Sequence, residues 1–523
     1  MLTPTGLSAE ELTQRGRKVV RAHGKQILLI AQADKIFAIA NRCPHEGYPL
    51  SEGTLSDGCV LTCNWHNWKF DLASGTALVG RDPVRTYSVH VREGQIFLDL
   101  SDPPAGAQKA RALEGLDKAL TDNDPARIAR EVARLECAGY DATVALAHAL
   151  RSTFARLENG MTHAHAAAAD WLALAGRAPT PDQRLAAMLE PLGHLAWDTQ
   201  GAGHFPYADR VERWDENAFL AAVEAEDEPR AIALMRGAVA DGISYDRLGP
   251  AIGTAALAHY ADFGHSAIYT LKAGQLIERV GAEAHEPILL ALVRQQVKAT
   301  REERLPEFRF YDKALAAWDG SGHAPLKAED FIGVSIEGAL KRTLACSGGP
   351  PRELYDALLG AAAWNLMHFD LSFDRATDNS IADNVSWLDF THALTFANAA
   401  RRICERRPRL WPRALLQLAL FVGRNRGFVD AELDGAPWHV SEPRRFIAEG
   451  MATLFDHGIV EPVIACHRLK MLFALEDEIN AQPDAPWIAA MSAAMNRWLN
   501  NPQKRHHGLR IAAQARDFVA REA

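Results

Sequence analysis

The chain is 523 residues long, 48% hydrophobic and 24% charged, which fits a multi-domain globular protein and excludes a fibrous or disordered one. A formal net charge of −9 and a pI near 6.1 leave no basic stripe for neutralising phosphates, so nucleic acid is excluded as a partner. The most apolar stretch, Leu415 to Val422, is far short of the ~20 residues of a membrane span, and the first residues carry no basic segment leading into an apolar run; the expectation is a cytoplasmic protein with no membrane partner.

Short β-rich runs come first: Lys18–Ala22, Gln26–Ile30, Lys35–Ile39, Val84–Val91 and Gln95–Leu100. Breaks such as His23-Gly24-Lys25 and Glu93-Gly94 separate them at hairpin spacing, which predicts a small antiparallel β domain. Asp102-Pro103-Pro104-Ala105-Gly106 reads as a linker. Beyond it alanine and leucine dominate, and apolar residues recur at three and four. Asp124-Pro125 opens one helix that closes at Gly139, Thr180-Pro181-Asp182-Gln183 is a capping-box start, and Ser441-Glu442-Pro443 starts a helix running to about Asp456. The expected fold class is therefore multi-domain, a small all-β domain over residues 1–104 followed by a large all-α domain over residues 105–523.

Within the β region, Cys43-Pro44-His45 is separated by seventeen residues from Cys63-Asn64-Trp65-His66. Two Cys/His pairs on two loops make four metal ligands. Zinc also takes two cysteines and two histidines, but zinc fingers keep like residues together, whereas here each loop carries one of each. The mixed arrangement suits a [2Fe-2S] cluster with an asymmetric ligand set, the thiolates of Cys43 and Cys63 on one iron and the imidazoles of His45 and His66 on the other. The other five cysteines (Cys59, Cys137, Cys346, Cys404, Cys466) read as small core or surface residues, since seven in a chain this long do not make a disulfide framework.

The cluster loops, with Gly47, Leu50, Trp68, Phe70, Asp71 and Ser74-Gly75 around them, resemble those of Rieske ferredoxins and the Rieske domains of oxygenases over about residues 15–100. Tyr48 and Asn64 stand where respiratory Rieske proteins carry a disulfide, and Asn67-Trp68 replaces the segment that supplies their serine donor. The resemblance therefore implies a disulfide-free relay toward the low end of the ~−150 to +300 mV Rieske range.

A Rieske centre moves one electron and does no bond chemistry, so the helical region must use the electron or dock a partner. The two-histidine, one-carboxylate site of conventional Rieske oxygenases is not matched: after Asp389-Phe390-Thr391-His392, the second histidine's place is taken by Ala397. Three other strings recur instead. Thr162-His163-Ala164, Gly264-His265-Ser266 and Thr391-His392-Ala393 each lead into a helix of small residues, and Cys466-His467 begins a fourth. Asp124-Pro125 and Tyr140-Asp141 precede His163 much as Glu228-Pro229 and Tyr245-Asp246 precede His265, a degenerate internal repeat. Histidines on separate helices of a bundle can converge on one metal, so His163, His265, His392 and His467 are the candidate ligands, with His194, His259 and His368 in reserve.

The spacing of these histidines in an all-α chain resembles the questin-oxidase-like proteins, helical non-haem-iron oxygenases of polycyclic aromatic ketones and quinones. That resemblance implies mononuclear Fe(II), O2 and an apolar, aromatic or quinone-like substrate, and sets Lys470 where a lysine accompanies the late histidine. A protonated lysine cannot bind a metal; Lys470 would join only if neutral or carboxylated. The β module is an addition to that pattern. The expected function is an iron- and O2-dependent oxygenase, an oxidoreductase fed by a separate reductase or ferredoxin. Homo-oligomerisation would suit electron transfer between subunits, and of the 12 tryptophans most read as ordinary core, with some able to line a flat substrate pocket. No G-x-G-x-x-G, P-loop or G-x-S-x-G string is present, so nicotinamide or flavin binding within the chain is not expected, and no catalytic residue beyond the ligands is assigned. The rival reading is a Rieske electron carrier whose helical part docks a partner or senses redox state.

Overall fold

Four consecutive residues, Ile27 to Ile30, are fully buried, and this decides the layout of the N-terminal unit. A strand covered on both faces reads as a continuous apolar run instead of an alternating one. In the computed structural model, which describes residues 2–56, 58–378, 384–501, 509–510, 512–514 and 516, that run is the centre of the third strand. The strands are β1 (Leu2–Ser8), β2 (Arg17–Ala22), β3 (Lys25–Gln32), β4 (Lys35–Ala40), β5 (Thr54–Ser56), β6 (Val60–Thr62), β7 (Lys69–Asp71), β8 (Ala77–Val79), β9 (Ser88–Arg92) and β10 (Gln95–Asp99). They form three antiparallel sheets in the orders β1-β10-β9, β2-β3-β4 and β5-β6-β7-β8. Leu28 and Ile30 pack with Phe37, Ile39, Cys43, Cys63 and Phe70, while Ile27 and Leu29 pack with Leu7, Leu12, Ile96 and Leu98.

The expected strands Lys18–Ala22, Gln26–Ile30 and Lys35–Ile39 lie within β2, β3 and β4. The run Val84–Val91 is only partly strand. Residues before Ser88 touch β4 through a bridge between Ile39 and Thr86, and the chain then bends into β9. The linker is shorter than expected, since a helix spanning Ala105–Thr121 begins at its fourth residue.

The chain divides into two compact units, Met1–Gly115 and Leu116–Ala523, and the described residues of the second are helical. Asp124 caps the Pro125–Cys137 helix by accepting from the Arg127 N–H, and Thr180 caps Pro181–Thr199 through the Gln183 N–H. Asp227 caps Glu228–Ala240 as Asp124 caps its counterpart, so both halves of the degenerate repeat open alike. The helix starting at Pro443 has no side-chain cap and runs to Thr453, followed by a 3-10 turn to Asp456. No helix among the described residues is long and apolar enough to cross a membrane.

Four helices form the heart of this unit: His163–Ala175, His265–Ile277, Trp387–Arg406 and Pro462–Ala481. Each packs on the next and the last on the first, closing a ring. Small side chains permit the close approach, with Ala164, Ala166, Ala167, Ala168, Ala267, Ala397, Ala399 and Ala465 all buried in it. The ring is also tied by charge. Arg401 Nε donates to Glu478 Oε1 at 2.7 Å and Asn398 Nδ2 donates to the same oxygen at 2.9 Å, with Arg401 and Glu478 only 2% and 0% exposed. Arg401→Ala leaves Glu478 with the Asn398 amide and an Arg352 guanidinium 3.5 Å away. It should cost the helical unit ~3 kcal/mol, read as a lower urea midpoint in far-UV circular dichroism. Pairing it with Glu478→Leu should recover much of that loss.

Candidate metal centres

Cys43 and Cys63 begin two loops with the same backbone wiring. The Cys43 N–H donates to Tyr48 O and the Gly47 N–H to Cys43 O, at 2.8 and 2.9 Å; the Cys63 N–H donates to Trp68 O and the Asn67 N–H to Cys63 O, at the same distances. Each loop turns through one left-handed residue, Gly47 (φ 79°) and Asn67 (φ 58°). Asparagine tolerates this region better than most side chains. The turns bring His45 Nδ1 to 3.2 Å from His66 Nδ1, with the ring planes at 85°. Both cysteines are buried, and burial followed by the neighbouring Cys63 pushes the Cys43 thiol up to about 11. Metal binding requires thiolates, and the positive charge of bound iron would offset that penalty at Cys43. Two facing imidazole nitrogens beside two buried sulfurs fit a binuclear iron–sulfur group.

The sequence places without cysteine are occupied by other ties. Asn64 Nδ2 donates to Glu52 O and its Oδ1 accepts from the Thr54 hydroxyl, both at 2.9 Å, while the Tyr48 ring lies 5.4 Å from the exposed Trp65. All seven cysteines are free of disulfides. His45 stacks on Trp68 at 4.8 Å, and Trp68 in turn lies over Gly80, where a Cβ would come within 2.3 Å of its ring. Gly80→Ala should push Trp68 against His45 and speed loss of the bound iron–sulfur group ~10-fold, measured by bleaching of its visible absorption.

In the helical unit the four histidines proposed from sequence form a run of close contacts, and His163, His392 and His467 present ligand nitrogens within 4.8 Å of one another. His163 Nε2 is 3.1 Å from His265 Nε2, which is 2.9 Å from His392 Nε2, which is 3.3 Å from His467 Nε2. Two of the opposite nitrogens are held by carbonyl acceptors. His392 Nδ1 donates to Leu388 O at 2.6 Å and His467 Nδ1 to Val463 O at 2.7 Å, carbonyls one turn earlier on their own helices. A carbonyl only accepts, so both Nδ1 atoms carry the proton and both Nε2 atoms are bare lone pairs. Tyr269 Oη lies 3.3 Å from His163 Nδ1, and Asp262 Oδ2 lies 3.4 Å from His265 Nδ1.

Burial, then the charge of Lys470, holds His163 and His467 well below the usual imidazole range; for His392 burial comes first, then His265. Neutral imidazoles turning lone pairs toward one another repel unless a cation sits between them. An ion held by nitrogens at ~2.1 Å spaces neighbouring donors ~3.0 Å apart at right angles and ~3.4 Å apart at tetrahedral angles, the range seen here. The donor set fits a divalent transition metal. Lys470 is itself buried, and burial lowers its ammonium pKa.

The reserve histidines lie elsewhere. His194 is buried with Asp198 Oδ1 at 3.7 Å, His259 bridges Glu302 and Glu224 at 3.0 and 3.1 Å, and His368 stacks on Trp364. His259, Glu302 and Glu303 also present close ligand atoms, but both ring nitrogens of His259 already face carboxylates. Two contacts of the four-histidine point were not anticipated. Tyr269 follows His265 by four residues and Asp262 precedes it by three, spacings readable once that histidine is chosen, although Asp262 arrives through a left-handed turn. That turn comprises Asp262 (φ 50°, ψ 54°), Phe263 (φ 54°, ψ 39°) and Gly264 (φ 78°, ψ 5°), and the two non-glycine residues store on the order of 1–3 kcal/mol each.

A cavity of about 500 Å³ is bounded by Ala261 and Ser266, on either side of this segment, and by Leu220, Val223 and Ala255. Arg301, Arg409 and Arg413 also line it, and no tryptophan does. Trp171, Trp487 and Trp498 are instead core residues.

Protonation of this unit has a definite sign. Burial lowers His165 to about 4 and His194 to about 3, alongside the three ligand-point histidines. Each takes a proton near pH ~6.5 when unfolded but not when folded, so its stabilising contribution is present above that pH and is lost as pH falls. Two groups run the other way. Burial raises Asp198 to about 6, a contribution lost as pH rises through that value; His259 is raised because Glu302 and Glu224 outweigh its burial. Five groups against two predict that the urea midpoint of metal-free protein drops between pH 7 and pH 5. A flat or rising midpoint contradicts this balance.

Known proteins share the N-terminal part of this arrangement. Residues 6–88 match the Rieske [2Fe-2S] domain family. The chain is 34% identical over 97 residues to the 3-phenylpropionate/cinnamic acid dioxygenase ferredoxin subunit of Photorhabdus laumondii, covering 18% of this chain and 91% of the ferredoxin. It is 36% identical over 104 residues to the 4beta-methylsterol monooxygenase of Methylococcus capsulatus, covering 18% of this chain and 28% of that enzyme. Among solved structures, the ferredoxin of carbazole 1,9a-dioxygenase from Nocardioides aromaticivorans IC177 is 24% identical, with a TM-score of 0.18, over 19% of this chain and 99% of that one.

Proposed function

Because the chain belongs, through residues 6–88, to the Rieske [2Fe-2S] domain family, we propose that it is an oxygenase whose helical unit holds a mononuclear iron on His163, His265, His392 and His467. The observation that carries this reading is the run of four imidazole Nε2 atoms at successive distances of 2.9–3.3 Å, with His392 Nδ1 and His467 Nδ1 bonded to carbonyls and an oxygen within 3.4 Å of each of the other two Nδ1 atoms. Histidine ligands in metalloproteins are oriented in this way, the far nitrogen fixed so that the near one stays bare.

In the N-terminal unit, Cys43 and Cys63 would hold one iron of the [2Fe-2S] cluster and His45 and His66 the other, and the cluster supplies single-electron transfer when bound. The exposed imidazole edges and Trp65 leave this end open to an electron-donating reductase or ferredoxin. In the helical unit, iron supplies the redox chemistry that lets O2 react with an organic substrate. The residues around it supply order and dryness. Leu388 O and Val463 O lock the rings of His392 and His467, and the alanine-rich helices exclude water from two sides of the point. The apolar wall of the neighbouring cavity, whose volume is typical of small-molecule sites, supports an apolar or aromatic substrate.

A metal analysis tests this reading. Purified protein should contain more than two irons per chain, and His265→Ala should remove the excess while leaving the Rieske absorption and electron paramagnetic resonance intact. Two irons, with no further iron, manganese or copper, would overturn the oxygenase reading in favour of an electron carrier with a docking or sensing module.

A further inference from the structure

The turn ahead of His265 is built at a cost and delivers one group. Asp262, Phe263 and Gly264 are successive left-handed residues, and a bulky side chain such as Phe263 rarely adopts that conformation. The surroundings hold it there. The Asp262 N–H donates to Thr300 O at 2.8 Å, and the Phe263 ring lies edge-on to Tyr260 and Phe308 at 6.1 and 6.4 Å. The Arg424 guanidinium sits 5.0 Å from the Phe263 ring, and a Cβ on Gly264 would come 2.6 Å from Phe396. The product of this turn is a carboxylate oxygen 3.4 Å from His265 Nδ1. The other three histidines present Nδ1 to neutral oxygens, those of Tyr269, Leu388 and Val463.

We infer that Asp262 is a positioning residue for the helical metal centre, orienting His265 and making it the most electron-rich of the four ligands. The inference rests on the metal reading above. A carboxylate beside Nδ1–H draws that proton toward itself and leaves more electron density on Nε2, which strengthens the bond to a cation. A carbonyl or phenol does this less, because it carries no net charge. The asymmetry means the four histidines are not interchangeable, although their ring nitrogens are. It also gives a role to the backbone strain at the entry to this ligand helix.

Asp262→Asn keeps the shape and removes the charge. With the Rieske cluster in place, Fe(II) affinity of the full chain should fall ~10- to 100-fold by competition with a coloured chelator. The electron paramagnetic resonance of the nitric oxide adduct of the helical iron should shift, while the Rieske signal and the thermal unfolding midpoint stay as in the parent protein. Asp262→Glu, which retains the charge, should recover part of the affinity. Unchanged affinity and an unchanged nitric oxide signal in Asp262→Asn would overturn the inference while leaving the metal reading standing. A parent protein that takes up no metal beyond its two cluster irons would overturn both.

Discussion

A neutral imidazole has one N–H and one lone pair, and fixing the proton on one nitrogen fixes the lone pair on the other. Much of the helical unit follows from that rule. Leu388 O and Val463 O are acceptors only, so His392 and His467 must aim bare Nε2 atoms at each other across 3.3 Å. Burial removes the escape of protonation by holding both imidazoles well below their usual range. The helix ring then keeps them from moving apart, since Arg401 and Glu478 fasten the two helices that carry them. An arrangement this costly without a cation is inexpensive with one, which is the sense in which a metal site is also a folding element.

The N-terminal unit solves the same problem with different means. Its ligands stand on short loops between strands, where one left-handed residue per loop sets the direction of the chain. Ring stacking replaces the carbonyl lock: Trp68 holds His45 from the side, and Gly80 leaves the room that Trp68 needs. Where a disulfide would brace respiratory relatives, Asn64 bonds to Glu52 and Thr54, and Tyr48 leans on Trp65. Such bonds brace the loops without adding a redox-active sulfur pair beside the ligands.

Legibility in the sequence followed the range of each interaction. The strands β2 to β4 were readable because apolar runs and glycine breaks are local, and three of the helical histidines because small-residue segments follow them, with Cys466-His467 opening a fourth helical run. Strands β5 to β8 are only three residues each, too short for a pattern, and β1 pairs with β10 at the far end of the unit. The split of Val84–Val91 depends on where β4 lies, which no local run reveals. Asp262 was not singled out although it precedes His265 by three residues, a spacing that makes neighbours on a helix; here it arrives instead through a left-handed turn held by Thr300, Phe308 and Phe396. Size and flatness suit a protein core as well as a substrate wall, and Trp171, Trp487 and Trp498 take the core role expected of most tryptophans here.

Charge gives the last constraint. Four neutral imidazoles do not compensate a divalent ion, and the interior nearby is already cationic. Lys272 is paired with Asp170 at 2.6 Å, so that carboxylate is committed, and Lys470 is buried within electrostatic reach of His163, His392 and His467. Burial already lowers Lys470, and a divalent charge beside it would lower it further, favouring a neutral amine or, with carbon dioxide added, an anionic carbamate. Asp262, partly open to solvent, is a carboxylate 3.4 Å from a ring nitrogen of His265. An ion there is therefore flanked by a lysine favoured in an uncharged or anionic form and by a carboxylate held in place by a strained turn. Both arrangements reduce the same excess positive charge, and neither is needed to fold a helical bundle without a metal.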